Sequence, residues 1–209
     1  MTNPSTQARW KFYPTNRGVP SYLLDGEVVP GGGGSREMTQ IFYDRINPKI
    51  EQRLEAAADA RLTLSATLDG TKAKVKAEAS QIKGDAAELK LNVALVEEML
   101  SYSGENGIRL HPVVVRSLAG PEAGGFAIDR AKPGAVEHTF DIASISEELK
   151  AHLEDFESKS TTGRKFSQKK NAIDPNNLSV VAFLQDLTTK KILQAAYVRL
   201  KPGEVAANQ

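Results

Sequence analysis

The sequence predicts an α+β protein in which a short mixed α/β segment is followed by an antiparallel β-sandwich of the immunoglobulin or fibronectin kind with one helix. The first observation is a change of period, because apolar residues recur at helical spacing up to about Ala60 and alternate from Leu62 onward. The second is that the alternating runs are short and separated by turn residues, which favours antiparallel over parallel pairing. We therefore predict a partial α/β segment over residues 1–60, a sandwich domain over residues 61–201 and a disordered tail over residues 202–209.

The composition is that of a globular protein. The chain has 209 residues, of which 27 are lysine or arginine and 26 are aspartate or glutamate. Because these charges nearly balance, the chain lacks the excess of positive charge that would attract nucleic acid, so we expect no nucleic-acid partner. No apolar run is long enough to span a bilayer, and residues 1–4 lack the charged and apolar regions of a signal peptide. As written, the sequence predicts a cytoplasmic protein without a transmembrane segment.

The chain contains no cysteine. This removes disulfides, zinc-thiolate sites and thiol nucleophiles together, because each of them needs the sulfur atom. The chain by itself is therefore not a thiol redox enzyme. The absence of cysteine does not report the compartment, since many exported proteins also lack it.

The first part of the segment predicts a helix and a hairpin. Residues 4–12 are weakly helical, and a stretch rich in turn residues follows them. Asp25-Gly26 is a strong two-residue hairpin signal, and it separates the apolar runs at residues 21–24 and 27–29.

A longer helix is predicted after the glycine run at residues 31–34. Ser35 lies where an N-cap belongs, and apolar residues follow at helical spacing. Asn47-Pro48 suits either the start of a second helix or a kinked continuation, which we expect to end near Ala60.

Alternating apolar residues predict the strands of the sandwich. Residues 62–68 and 73–79 form a hairpin around Asp69-Gly70 with one solvent-facing side. Further strands are predicted over residues 89–95, 112–118, 126–128, 136–142, 178–184 and 192–200. A single helix, capped by Ser144 or Ser146, interrupts the strands.

The order of elements in the first quarter of the chain resembles the second half of a thioredoxin-like domain. Gly18-Val19-Pro20-Ser21 precedes an apolar strand, as the Gly-(Val/Ile)-Pro-(Thr/Ser) pattern does in that family. The hairpin, the glycine loop and the amphipathic helix then follow in the family's order. The remaining β region, ending in residues 178–186 and 192–196, is similar to the sandwich that follows thioredoxin-like domains in some exported, outer-membrane-associated bacterial proteins.

The resemblance implies that Val19 and Pro20 form a cis-proline loop, which in that family receives an extended substrate segment. The alternative is an ordinary turn before a strand. The sequence departs from the family because it has neither the Cys-X-X-Cys motif nor the elements that should precede Asn3. We therefore expect a fragment, a split gene product or a start at an internal methionine. The resemblance also implies a periplasmic or outer-membrane-associated location.

Other polar residues predict no catalytic, cofactor or metal site. The glycine run lacks the Lys-Ser or Lys-Thr pair of a phosphate loop, so we interpret it as a flexible connection. The three histidines have none of the spacings of a zinc site. Several carboxylates sit in predicted turns, where capping of backbone amides is a commoner role than calcium binding. The histidines are His111, His138 and His152. The carboxylates in predicted turns are Asp25, Glu27, Asp69, Asp129 and Asp174.

Three serines and one basic loop also give little support for a functional site. Ser101, Ser103 and Ser117 lack the Gly-X-Ser-X-Gly setting of a serine hydrolase. The basic loop around residues 164–170 could meet an acidic partner or lipid headgroups, although such loops are usually only solvated.

The function that the sequence predicts is a non-catalytic protein-interaction module of a thioredoxin-like protein that lacks its Cys-X-X-Cys half. The alternative is a fragment of an exported thiol-disulfide oxidoreductase whose catalytic N-terminal half lies outside this chain. The expected partner is another protein or that missing half, and an unpaired strand edge makes a dimer of this chain a further possibility. A metal-dependent or hydrolytic enzyme has only generic polar residues in its favour.

Overall fold

The computed structural model describes residues 3–13, 20–29, 34–103, 107–121, 124–163 and 165–208. These residues form helices α1 (Pro4–Lys11), α2 (Thr39–Glu55) and α3 (Ile142–Ser158), and strands β1 (Tyr22–Leu24), β2 (Glu27–Val29), β3 (Arg61–Asp69), β4 (Lys72–Ser80), β5 (Leu89–Ser101), β6 (Leu110–Leu118), β7 (Phe126–Ile128), β8 (Gly134–Asp141), β9 (Leu178–Asp186), β10 (Ile192–Arg199) and β11 (Val205–Ala207).

Two antiparallel sheets face each other across one core. The first has the strand order β11-β3-β4-β8, and the second has the order β10-β9-β5-β6, with β7 pairing with β5 beyond the end of β6. Alternation of side chains points every second residue inward, so Leu64, Leu91 and Leu184 are all at most 1% exposed. Helix α3 contributes Ile145 and Leu149 to the same core. The predicted α+β class is thus confirmed.

The predicted hairpin is present as a separate two-stranded sheet, in which Tyr22 pairs with Val29 and Leu24 with Glu27. Asp25 and Gly26 have φ angles of 49° and 86°. Positive φ at both central residues is what a two-residue turn of this kind requires. The Asp-Gly signal therefore identified the turn correctly.

Helix α2 differs from the prediction at both ends. A 3-10 turn over Arg36–Met38 precedes it, and among the described residues the Ser35 side chain makes no capping hydrogen bond. The helix then continues through Pro48 and ends at Glu55, where Ala56 turns to an extended conformation. Proline removes one intrahelical hydrogen bond, and the freed carbonyl can be solvated because this helix lies at the surface.

Two other predictions about element ends are wrong. Helix α3 is capped by Asp141, whose carboxylate accepts from the Ala143 and Ser144 amides at 3.1 and 3.2 Å, so neither Ser144 nor Ser146 is the cap. The tail is also ordered where disorder was predicted. Val205–Ala207 pairs with β3, and the Asn208 side chain accepts from the Leu64 amide and donates to the Leu62 carbonyl. Because β3 is otherwise an edge strand, its free backbone groups hold the tail in place.

Candidate functional site

The structure places Pro20 at an exposed position just before β1. Val19 lies outside the described residues. The substrate loop that the sequence predicts at these two residues therefore remains a prediction.

The hairpin rests on the turn between β9 and β10. The Ile192 amide donates to the Asp25 carbonyl at 2.8 Å. Gly26 is pressed so closely onto this turn that an added Cβ would lie 1.8 Å from the Lys190 carbonyl oxygen. Glycine is needed here for two reasons, since the position also has positive φ. The hairpin is thus held at its tip.

A polar cluster fixes α1 to the same end of the sandwich. The Arg9 guanidinium donates to the Tyr13 hydroxyl at 2.6 Å and to the Gln185 side chain, which is fully buried. The guanidinium also lies 4.8 and 5.0 Å from the ring centres of Phe12 and Phe183. Burial lowers the pKa of Arg9 from its ordinary value. Such a desolvated cation is stabilised by the aromatic faces around it.

Asn3 anchors the other end of α1. Its carboxamide oxygen caps the helix by accepting from the Thr6 amide at 2.8 Å. Its amide nitrogen donates to the Val115 and Arg116 carbonyls of β6, each at 3.2 Å. The pairing of β5 with β6 shifts register here, and Arg116 is the extra residue of a bulge. Asn3 therefore links the start of α1 to the bulged part of β6.

Helix α2 is the least covered element. None of its 17 residues is buried by the part of the chain that the structure describes. Arg53 attaches it to the hairpin through Glu27 at 2.6 Å and Asp25 at 3.7 Å. Partly exposed ion pairs of this kind stabilise by at most about 1 kcal/mol. The attachment of α2 is accordingly weak.

The apolar side chains of this region are exposed. Ile41 is 52% exposed, Tyr43 60% and Leu54 80%, and Ile50 of the same helix is exposed too. In the hairpin, Tyr22 and Val28 are exposed while Leu24 is half-buried. Tyr22 and Val28 lie on opposite faces of the hairpin. Tyr43, Ile50 and Leu54 lie on one side of α2 at helical spacing, and Ile41 lies on the opposite side of the helix. We call Tyr43, Ile50 and Leu54 the α2 surface. A cluster of this kind is typical of an interaction site rather than of an isolated helix.

A buried ion pair was missed by the sequence reasoning. Glu97 of β5 and Arg116 of β6 approach to 3.5 Å with side chains only 5% and 4% exposed. The available signal was the carboxylate at position 97 within the apolar run of β5. Both side chains are almost fully buried, so the geometry of the pair suits a structural role.

The remaining candidate residues lie apart from one another. His111 contacts the Tyr102 carbonyl at 3.1 Å, His138 packs edge-on against Phe140, and His152 lies on α3. Burial lowers the pKa of His138 below its ordinary value. Within the described ranges, no three His, Asp or Glu side chains are grouped so that they could hold a metal ion.

The carboxylates in turns and the basic loop have local partners. Asp129 accepts from the Ala131 amide at 2.9 Å and Asp174 from the Asn176 amide at 3.0 Å, as the sequence predicts for turn residues. Lys169 forms ion pairs with Glu157 at 2.9 Å and Glu154 at 3.7 Å. These pairs reduce the positive charge that the loop presents to a partner.

None of the described helices combines the length and the apolar character that crossing a bilayer requires.

Two solved structures align with this chain. HBP35 of Porphyromonas gingivalis aligns with a TM-score of 0.61 and 13% identity over 97% of this chain and 67% of that one. A domain of the outer membrane lipoprotein Omp28 from Porphyromonas gingivalis aligns with a TM-score of 0.39 and 16% identity over 71% of this chain and 93% of that one. The first likeness shows a shared fold, and the second is too low to support an argument. No protein-family model and no curated protein matches the sequence significantly.

Proposed function

We propose that this chain is a non-catalytic protein-interaction module that binds a protein partner through the α2 surface. The observation that carries the proposal is the exposure of α2, an amphipathic helix of 17 residues without a buried side chain among the described residues. A helix gains most of its stability in proteins from packing its apolar face. An uncovered helix of this kind therefore has more to gain from a partner than any other element described.

The order of elements supports a thioredoxin-like origin for this surface. Strands β1 and β2 and helix α2 follow one another as the resemblance of the sequence to the second half of a thioredoxin-like domain implies. In this proposal the partner supplies apolar surface that completes the small sheet and its helix, either from another protein or from a missing N-terminal half. We also propose a periplasmic or outer-membrane-associated location on the strength of that resemblance.

Photocross-linking in the native cell tests the binding surface directly. A photoreactive phenylalanine analogue replaces Tyr43 or Leu54 on α2, and a control variant carries it at Lys72, which is exposed on the face of β4. The proposal predicts a discrete protein adduct from both α2 positions and none from Lys72. The absence of adducts from Tyr43 and Leu54, in a chain that is folded and expressed, would refute it.

A second candidate function is a part of an exported thiol-disulfide oxidoreductase whose thiols lie outside this chain. It rests on the same order of elements, with Pro20 before β1 at the position of the substrate loop. The thiolate is the attacking species in disulfide exchange, so this chain alone should reduce no insulin disulfide. Sequencing the genomic DNA upstream of the Met1 codon for an in-frame Cys-X-X-Cys segment distinguishes the two candidates.

A further inference from the structure

Helix α2 presents one narrow exposed stripe. The three residues of the α2 surface, Tyr43, Ile50 and Leu54, lie within about 40° of one another around the helix axis, because each residue turns the helix by about 100°. Asn47 falls on the same line and is half-buried. Positions 43, 47, 50 and 54 are separated by four, three and four residues. This is the spacing of the seam positions in paired helices, where side chains of one helix insert between those of the other.

The two flanks of this stripe differ. On one flank, about 70–110° from the middle of the stripe, lie Phe42, Ile46 and Arg53. All three are half-buried, and Arg53 pairs with Glu27 of the hairpin at 2.6 Å. The hairpin therefore lies on this side of α2, and it leaves the stripe exposed.

The opposite flank is acidic. Asp44, Glu51 and Glu55 lie about 70–110° from the middle of the stripe on that side, and all three are exposed. Asp44 accepts from the side-chain amide of Gln40 at 2.6 Å, and Glu51 accepts from that of Asn47 at 2.7 Å. Both donors are neutral, and none of the ion pairs among the described residues involves these three carboxylates. The flank thus carries three carboxylates without a described cation to offset them.

The stripe and its acidic flank define the class of partner. The backbone of a helix is bonded internally, so a partner contacts α2 through side chains. We propose that the α2 surface binds an amphipathic helix of a partner protein, whose apolar seam packs on the stripe and whose basic residues lie against Asp44, Glu51 and Glu55. This inference rests on the proposed function and specifies its partner. The stripe is about 17 Å long, so the partner helix needs at least about three turns.

A second copy of this chain fits the stripe poorly. If two α2 helices packed antiparallel, the acidic flank of each would lie along the acidic flank of the other, and like charges beside a seam are unfavourable. If they packed parallel, each acidic flank would meet the side on which the hairpin lies, where Asp25 and Glu27 add two more carboxylates. A helix with a basic flank avoids both conflicts.

Three synthetic helical peptides of equal length test the class of partner. The first has leucine at the seam positions and lysine beside them, and the second replaces the lysines by glutamate. The third has the composition of the first with its leucines spread around the helix. Fluorescence anisotropy measures their binding to the full chain. We expect the first to bind at least about fivefold more tightly than the second, and the third not to bind. High salt should reduce the difference between the first two, because the charges lie at an exposed rim.

A matched pair of protein variants locates the binding. Ile50→Ser removes an apolar side chain from the stripe, whereas Ile41→Ser makes the same change on the opposite side of α2. Both isoleucines are exposed, so both variants should fold. We expect affinity for the first peptide to fall about tenfold with Ile50→Ser and to be unchanged with Ile41→Ser.

The possible outcomes separate this inference from the proposed function. Equal binding of the first two peptides, or no binding of either up to about 1 mM, would overturn the basic helix as partner. Photocross-linked adducts from Tyr43 and Leu54 would in that case still support an interaction module. Self-association in sedimentation velocity that Ile50→Ser abolishes would assign the stripe to a second copy and would also overturn the inference.

Discussion

Glu97 and Arg116 form a buried ion pair, 3.5 Å apart, that connects four parts of the chain. The Arg116 side chain donates to the carbonyls of Lys170, Asn171 and Ala172 at 2.7, 3.0 and 3.5 Å. The Asp174 backbone also binds the Glu97 carboxylate. The Arg116 carbonyl accepts from Asn3. One pair thus holds strands β5 and β6, the connection before β9 and the start of α1.

The first prediction is a double-mutant cycle on this pair. Arg116→Met leaves the Glu97 carboxylate buried without its cation, and we expect a loss of about 3–5 kcal/mol in the free energy of unfolding. Replacing Glu97 by leucine as well removes the uncompensated charge. The double variant should therefore be more stable than Arg116→Met, although less stable than the parent because three carbonyls lose their donor. Urea unfolding measures all three, and a double variant no more stable than the single one contradicts the account.

The second prediction concerns pH. Burial raises the pKa of Glu97 even though Arg116 acts in the opposite direction. Burial likewise lowers the pKa of Arg116, so both ionised forms are desolvated. An acid with a raised folded pKa binds protons more readily when folded, so its contribution to stability is present below about pH 4.3, the unfolded value, and is lost as the pH rises through the folded pKa.

Glu97→Gln removes this titration. The stability of the parent relative to Glu97→Gln should therefore decrease as the pH rises above about 4.3. Urea unfolding of both proteins across this range measures the difference. A difference that is constant or that grows with pH would show that the ion pair, rather than desolvation, controls the Glu97 pKa.

Patterns of one strand or one turn were predicted well because they depend on neighbours in sequence. The Asp25-Gly26 turn and the alternation in β3 and β4 are of this kind. The sequence could not predict the ordered tail, because Asn208 is fixed by Leu62 and Leu64 across the fold. Nor could it place Asn3 on the bulge at Arg116, since such a contact between distant residues leaves no local pattern.

The candidate site was predicted only in outline. The amphipathic pattern of α2 was visible in the sequence, but its exposure depends on which elements lie near it. Ile41 and Ala73 are both apolar, yet Ile41 is 52% exposed and Ala73 fully buried.

The third prediction tests the anchoring of α1. Asn3→Ala removes both the helix cap and the donor to β6, so we expect a loss of about 1–2 kcal/mol and faster amide exchange throughout α1. Gln7→Ala is the control, because Gln7 is exposed on the same helix. If the two variants exchange alike, the contact between Asn3 and the bulge does not hold the helix.

The fourth prediction concerns the proposed division of the chain. A protein that begins at Arg61 retains both main sheets and α3, whose buried residues form one continuous core. We expect it to unfold cooperatively in urea. It should be less stable than the full chain, because Gln185 loses its contacts with Arg9 and Tyr13. A soluble product without a cooperative transition would show that the first sixty residues belong to the same folding unit.

Hydrogen exchange on the monomeric full chain tests the central claim most directly. If the hairpin and α2 form an uncompleted unit that awaits a partner, the amides of residues 21–29 and 39–55 open locally. They should then exchange faster than those of residues 180–184, which lie in the centre of a sheet with a fully buried inner face. Equal and strong protection of all three segments would show that the hairpin and α2 are fully integrated into the sandwich, and would contradict both the thioredoxin-like origin and the proposed binding surface.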